Sequence, residues 1–281
     1  MLNKQDIVDY YDQCEVDYRY NWHLDDCLAM HIGYWDETTR SLPQALLRQN
    51  EIMMKKGKIT SCDRVLDAGC GIGGSSIYLS KCCGCKVMGI TLSKKQAASA
   101  AALSKIHKVD HLTRFQVMDF SETAFACETF DVIWALESAC YAESKQAFLE
   151  EAFRLLKPKG RLVLTDGFES KESYSLLKRK LIDNWIKRWA VDSLESVGRF
   201  ESYLREAGFI NIEFEDISEN VAPSSRKLFN CSLIAMPFAK VSELTGNRTR
   251  IQNENILGAI FQYFSLRFSL AKYGFFYAEK G

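Results

Sequence analysis

The chain has 281 residues, 47% of them apolar and 26% charged, a composition that supports a buried core and excludes disordered, collagenous and low-complexity classes. Lysine plus arginine and aspartate plus glutamate balance at 36 each, a formal net charge of +0, so no global field gathers nucleic acid or anionic lipid and a dedicated DNA-binding protein is disfavoured. Ten cysteines in a chain that needs no staples, and a polar, acidic start from Met1 to Asp12 without an apolar signal core, lead us to expect reduced thiols in a cytoplasmic protein.

The first 60 residues are aromatic-rich and mostly helical in pattern. Residues 64–67 then read as a first strand, 75–81 as a helix continuing a glycine turn, 86–90 as a second strand, 94–106 as a helix rich in Ala, Leu and Lys, and 113–117 as a third strand. Residues 130–136 read as a fourth strand, 145–156 as a helix and 161–165 as a fifth strand, with Pro158 and Gly160 stopping the helix between them. The strands are apolar throughout, as expected of a parallel sheet covered on both faces. Beyond Asp166 come amphipathic stretches at 171–190, 226–244 and 250–272, which predict a helical cap, with a helix at 194–207 ended by Gly208 and strands at 210–217 and 273–279. The most apolar run, 256–276, is interrupted by Gln262, Ser265, Arg267, Ser269, Lys272 and Tyr273. It falls short of the about 18 uninterrupted apolar residues of a membrane span.

Directly after the first strand stands Asp67-Ala68-Gly69-Cys70-Gly71-Ile72-Gly73-Gly74, leading into a helix. Glycines let the backbone turn sharply and let a ligand approach the main chain with no Cβ in the way, so the loop reads as a cofactor seat. A nicotinamide dinucleotide would call for G-x-G-x-x-G and an acidic residue about 20 positions on. Here the glycines fall at Gly69, Gly71 and Gly73, and the second strand ends in Gly89-Ile90-Thr91-Leu92-Ser93 without a carboxylate.

The segment from Val65 to Gly74 resembles the first motif of class I S-adenosylmethionine (SAM)-dependent methyltransferases. The Gly89–Ser93 run, followed by Gln96, resembles a subgroup that includes tocopherol methyltransferases, sterol C-methyltransferases and cyclopropane fatty acid synthases. Val117-Met118-Asp119-Phe120, the run from Phe130 to Ser138 and Leu155-Leu156-Lys157-Pro158-Lys159-Gly160 fit the same pattern. The resemblance implies SAM as cofactor. It assigns Asp67, Gly69, Gly71 and Gly73 to the methionine portion, Thr91, Leu92 and Gln96 to the ribose, and Asp119 and Phe120 to the adenine, with Ala135 as a further cofactor-binding residue. The usual acidic ribose ligand is missing, and Gln96 offers one acceptor and two donors in its place.

SAM carries an already activated methyl, so such a protein has to align a nucleophile, exclude water, and supply a base only where the acceptor must lose a proton. Glu137 ends the fourth strand, where ligands of parallel sheets sit, and is expected at the methyl-transfer face. Many related sequences read Glu-Ser-x-x-His here; this one has Glu137-Ser138-Ala139-Cys140-Tyr141, so a histidine base is not carried over. Tyr10-Tyr11-Asp12 and Met30-His31-Ile32-Gly33-Tyr34-Trp35 resemble the subgroup's lid, which adds Tyr11, His31 and Tyr34 to the expected catalytic set. Tyr18, Tyr20 and Trp22 are expected to pack the lid. The cap stripe, including Phe229, Leu233, Phe238, Ile256, Phe264 and Leu266, suits either core or an apolar acceptor pocket, and residues 215–224 resemble a loop that borders the acceptor.

Cys82-Cys83-Gly84-Cys85 lacks the two separated pairs of a zinc site, and no metal is expected. Residues 178–187 read as a solvated helix face, although Trp185 and Trp189 among lysines also suit a membrane surface or an acidic substrate. The expected architecture is α/β: a doubly wound, mostly parallel, Rossmann-like sheet with an N-terminal lid (1–60), a SAM-binding core (61–220), a helical cap (221–272) and a returning strand (273–281). The expected function is methyl transfer to a small, largely hydrophobic acceptor, with no nucleic acid partner and no stable membrane insertion; a homo-oligomer is compatible. The alternatives are a cyclopropane-forming, lipid-modifying enzyme and a non-catalytic SAM-binding regulatory module.

Overall fold

A computed structural model describes residues 3–281; Met1 and Leu2, the first residues of the expected lid, lie outside them. Seven strands form one sheet: β1 (Arg64–Ala68), β2 (Lys86–Thr91), β3 (Thr113–Val117), β4 (Phe130–Leu136), β5 (Leu156–Glu169), β6 (Phe209–Asp216) and β7 (Ala271–Lys280). Their order is β3-β2-β1-β4-β5-β7-β6, with β1 to β5 parallel and β7 antiparallel to both neighbours. The order reverses between β1 and β4, where a crevice opens at the carboxyl ends of the strands.

Alternate residues of the central strands serve two cores. Val65, Val132, Trp134 and Val163 face one side, under α3 (Leu42–Lys56) and α4 (Gly74–Cys83). Leu66, Ile133, Ala135 and Leu164 face the other, under α6 (Lys145–Leu155) and α8 (Val197–Glu206). Burial on both faces is why these strands are continuous apolar runs. Helix α5 (Lys94–Ile106) flanks β2 and β3.

Ahead of the sheet, α1 (Lys4–Asn21) and the single turn α2 (Leu24–Cys27) lead into α3. Asn3 caps α1 by accepting from the Gln5 and Asp6 amides, and Asp6 returns the bond to the Asn3 amide. The cap consists of α7 (Leu176–Ile186), α9 (Ser218–Leu244) and α10 (Arg250–Arg267). No helix among the described residues is long and apolar enough to cross a membrane.

Three expectations are corrected. The fifth strand extends to both sides of 161–165, because its ladder with β7 continues to Glu169 opposite Ala271; Pro158, Lys159 (φ +64) and Gly160 form an irregularity inside it. Helix α9 starts eight residues earlier than 226, where the Asp216 carboxylate accepts from the amide and hydroxyl of its first residue, Ser218, at 3.1 and 2.5 Å. Helix α10 ends at Arg267 and not 272, because residues from 271 onward pair in β7.

Candidate active site

Between β1 and α4 the chain turns through Gly69, Gly71 and Gly73, at φ of +95, +52 and +87. A Cβ on Gly69 would lie 2.4 Å from Ser138 Cβ and one on Gly73 would lie 2.9 Å from Ala100 Cβ, so these two glycines let the loop press against the end of β4 and against α5. A Cβ on Gly71 would meet nothing nearer than Met30 Sδ at 3.8 Å, so there the main chain stays open to a ligand. Asp67 is buried and accepts from the Ser76 hydroxyl at 2.6 Å. Burial pushes its carboxyl up to about 6.

The Thr91 hydroxyl donates to Gln96 Oε1 at 2.7 Å, and Ser93 caps α5 by accepting from the Gln96 amide at 3.1 Å. The Gln96 carbonyl is thereby taken, and its side-chain amide nitrogen remains as a donor. With Leu92, Phe120 and, from α1, Ile7 and Val8, these residues border a chamber of about 110 Å3. Gly73 lies against α5 and Ala135 inside β4, and neither borders the chamber. The Asp119 carboxylate accepts from the Ser121 amide at 2.7 Å and pairs with Lys4 of α1 at 2.5 Å, which turns it away from the chamber lining.

A second chamber, about 390 Å3, lies between the sheet and the cap. Tyr11, Met30, His31, Glu137 and Tyr141 border both chambers and mark where they meet. Trp185, Trp189, Leu228, Ile256, Ala259 and Leu266 are among the apolar walls of the larger one. Both cations at its border are already paired: Arg248 holds Asp17 through two bonds of 2.7 and 2.6 Å, and Lys272 holds Asp216 at 3.1 Å.

At the junction Glu137 is half-buried and leaves β4 with φ +51. Its Oε1 accepts from the Ile32 amide at 2.6 Å and from the Tyr273 hydroxyl, while Oε2 has no hydrogen bond to the described residues. Burial, and then the nearby Asp166 charge, push the Glu137 carboxyl up to about 7 against these two bonds. Asp166, at the carboxyl end of the neighbouring strand, borders the larger chamber and spends its oxygens on the Cys140 and Gly167 amides, at 2.9 and 2.8 Å. Burial raises it to about 6. The buried Lys145 pins the turn carrying Cys140 by donating to the Cys140 and Ala142 carbonyls at 2.8 Å. Two carboxyls, both raised by burial, thus share one site.

The His31 Nδ1 faces the Ile32 carbonyl at 2.9 Å and so carries the proton, while Nε2 accepts from Asn50 Nδ2 at 3.2 Å. Burial lowers the imidazole to about 4. His31 is a neutral ring with both nitrogens engaged, fit to position and not to take a proton. The Tyr11 hydroxyl donates to the Tyr141 hydroxyl at 3.0 Å, and Tyr141 donates to the Trp189 carbonyl at 3.1 Å. Burial raises both phenols well above their usual range, so both stay neutral.

Tyr34, expected at this face, borders neither chamber. Gly33 lies so close to α3 that a Cβ would be 2.7 Å from Ala45 Cβ, and the Tyr34 amide donates to the Ala45 carbonyl at 3.0 Å, which carries its ring into the sheet-side core. Trp185 and Trp189, read from sequence as part of or beside a solvated face, are instead chamber walls, packed edge to face with centroids 6.0 Å apart. Of the cap stripe, Phe238, Ile256 and Leu266 border the chamber, whereas Phe229 stacks on Tyr263 at 4.3 Å outside it. The sequence reading also missed Asp166, Tyr273 and Gln262. Gln262 is buried with Oε1 accepting from Ser225 at 2.7 Å, which leaves its Nε2 as a polar donor on an apolar wall.

Helix α1 roofs both chambers. On the smaller side Asp12 accepts from the Ser93 hydroxyl at 2.9 Å and Glu15 pairs with Lys95 at 2.7 Å. On the larger side Tyr10 donates to Asn255 at 2.9 Å and Asp17 holds Arg248.

Comparison with known proteins agrees with this architecture. A family profile described as a methyltransferase domain matches residues 66–164. The 27-O-demethylrifamycin SV methyltransferase of Amycolatopsis mediterranei (strain S699) is 30% identical over 198 residues, 70% of this chain and 72% of that protein. The glycine/sarcosine/dimethylglycine N-methyltransferase of Actinopolyspora halophila is 30% identical over 213 residues, 75% of this chain; the match spans only 36% of that longer relative. The crystal structure of the 4+2 cyclase SpnF superposes with a TM-score of 0.81 at 21% identity, covering 99% of this chain and 96% of that one, a likeness of fold. The chain belongs to the SAM-dependent methyltransferases that act on small molecules.

Proposed function

We propose that this methyltransferase acts on a small, uncharged and largely apolar acceptor seated in the larger chamber, and that Glu137 takes the acceptor's proton as the methyl arrives. The observation that carries this reading is the position of Glu137: at the junction of the two chambers, with one oxygen unbonded and its carboxyl raised to about 7, it is matched to proton transfer near neutral pH. The fully paired cations around the larger chamber favour an acceptor without a phosphate or carboxylate.

The glycine loop fits SAM, since open main chain above Gly71 lies beside the buried Asp67 carboxylate. Asp67, Gly69 and Gly71 would hold the methionine end, Thr91, Leu92 and Gln96 the ribose, and Phe120 the adenine face. When bound, SAM supplies a methyl on a sulfonium. The chain's own part is alignment: Tyr11, fixed by Tyr141, and His31, fixed by Asn50, would keep water from the junction and orient the acceptor toward Glu137. Gln262 would donate to an oxygen of the acceptor.

The test is calorimetric titration of the purified protein with SAM, S-adenosylhomocysteine and NAD, followed by labelled-methyl transfer to prenylated, sterol-like, quinol and alkaloid acceptors. Binding of the first two but not NAD, with transfer to a neutral apolar acceptor, is the expected result. SAM binding with turnover only of phosphorylated or carboxylated acceptors overturns the acceptor class.

A further inference from the structure

Helix α9 has two unlike long sides. Leu228, Ala235 and Ala239 face the larger chamber. The opposite side is solvent-exposed and, from residue 233 to 244, almost wholly apolar: Ile234, Phe238, Val241 and Leu244 are 70%, 75%, 61% and 80% exposed. At spacings of four and three they form one stripe along the helix. A soluble monomer rarely leaves so many large side chains together in water, and such patches mark interaction surfaces. The stripe is continuous with the acceptor chamber, because Phe238 both stands in solvent and borders that chamber.

The cap that carries the stripe is net basic. Although the whole chain balances, α7, α9 and α10 together carry eight basic residues against four acidic ones. On α9 itself Arg226, Lys227 and Lys240 are exposed, as is Glu219, while Glu243 accepts from Asn253 at 2.6 Å and lies 3.9 Å from Lys240. A two-fold contact between copies through this face would set two net basic caps against one another. An anionic bilayer surface instead meets both features, taking the apolar side chains into its interface and the lysines and arginines against its headgroups.

We propose that the outer face of α9 docks this protein on anionic membrane surfaces, with the mouth of the acceptor chamber turned toward the lipid. An apolar acceptor dissolved in the bilayer then enters past Phe238 without crossing water. This goes beyond the assigned methyl transfer, and docking is measurable without turnover, so either reading fails independently of the other.

The full chain is sedimented with phosphatidylcholine vesicles prepared with and without phosphatidylserine, in the absence of SAM and acceptor. Binding is expected to the phosphatidylserine vesicles, weakening as salt is added. Ile234→Ser with Val241→Ser lowers the affinity about tenfold or more, and Lys240→Glu lowers it about fivefold or more. Unchanged S-adenosylhomocysteine affinity in each variant shows that it is folded. The proposal is overturned by no sedimentation with either vesicle, by binding that these substitutions leave intact, or by a dimer in vesicle-free ultracentrifugation that Ile234→Ser dissociates.

Discussion

Glu137 leaves β4 in the left-handed backbone region, φ +51, where a residue with a Cβ costs about 1–3 kcal/mol. That strain is held by the Thr165 carbonyl accepting from its amide at 2.8 Å and by the Ile32 and Tyr273 bonds to its side chain. Glu137→Gln keeps the acceptor atom of those bonds and removes the base. We expect kcat to fall about a hundred- to ten-thousandfold with only a modest loss of SAM affinity, measured by turnover and by calorimetry. Wild-type kcat/KM is expected to rise with pH through about 7, as the carboxylate forms, and this rise disappears in the variant. The same group sets a stability trend. Its folded affinity for protons lies above the unfolded value, so its contribution is fully present below about 4.5 and is lost as pH rises through about 7. Because the charged form is partly desolvated, Glu137→Gln is expected to melt at a higher temperature than wild type at pH ~8, with the difference shrinking toward pH ~5. Glu137 was legible in the sequence because it ends an evident strand, and Asp166 was findable by the same rule at the end of the next strand. Tyr273 was not, since its place opposite Glu137 depends on an antiparallel pairing closed by the far end of the chain.

Among the elements, the glycine loop is the least replaceable. Gly69→Ala combines an unfavourable φ with a 2.4 Å clash against Ser138, and we expect about 1–3 kcal/mol lost in urea unfolding together with impaired SAM binding. Strands β1, β2 and β4 were legible because burial on both faces writes them as largely apolar runs between glycine, proline and polar turns, whereas β3, Thr113–Val117, is a mostly exposed edge strand read from its β-branched and aromatic residues. The full extent of β5 was not, because Pro158 and Gly160 signal a boundary that long-range pairing overrides. The early start of α9 escaped for a similar reason, with Pro223 inside its first turns. The solvated reading of Trp185 followed from its lysine neighbours, and only the docking of α7 on α10 turns it inward.

For the whole molecule, the two chambers are separable by mutation although they meet. Ala235 borders the larger chamber only, and Ala235→Phe narrows it without touching the glycine loop. We expect the acceptor KM to rise about tenfold or more with S-adenosylhomocysteine affinity unchanged, checked by steady-state kinetics beside calorimetry. The roof is what they share. Helix α1 is held on one side by Ser93 and Lys95 and on the other by Asn255 and Arg248, so both ligands lie against one helix anchored over both chambers. We expect cofactor and acceptor to be coupled through it, each changing the other's affinity by the same factor, and Arg248→Ala, by freeing one end of the helix, is expected to reduce that factor for both, read by titrating each ligand with and without the other.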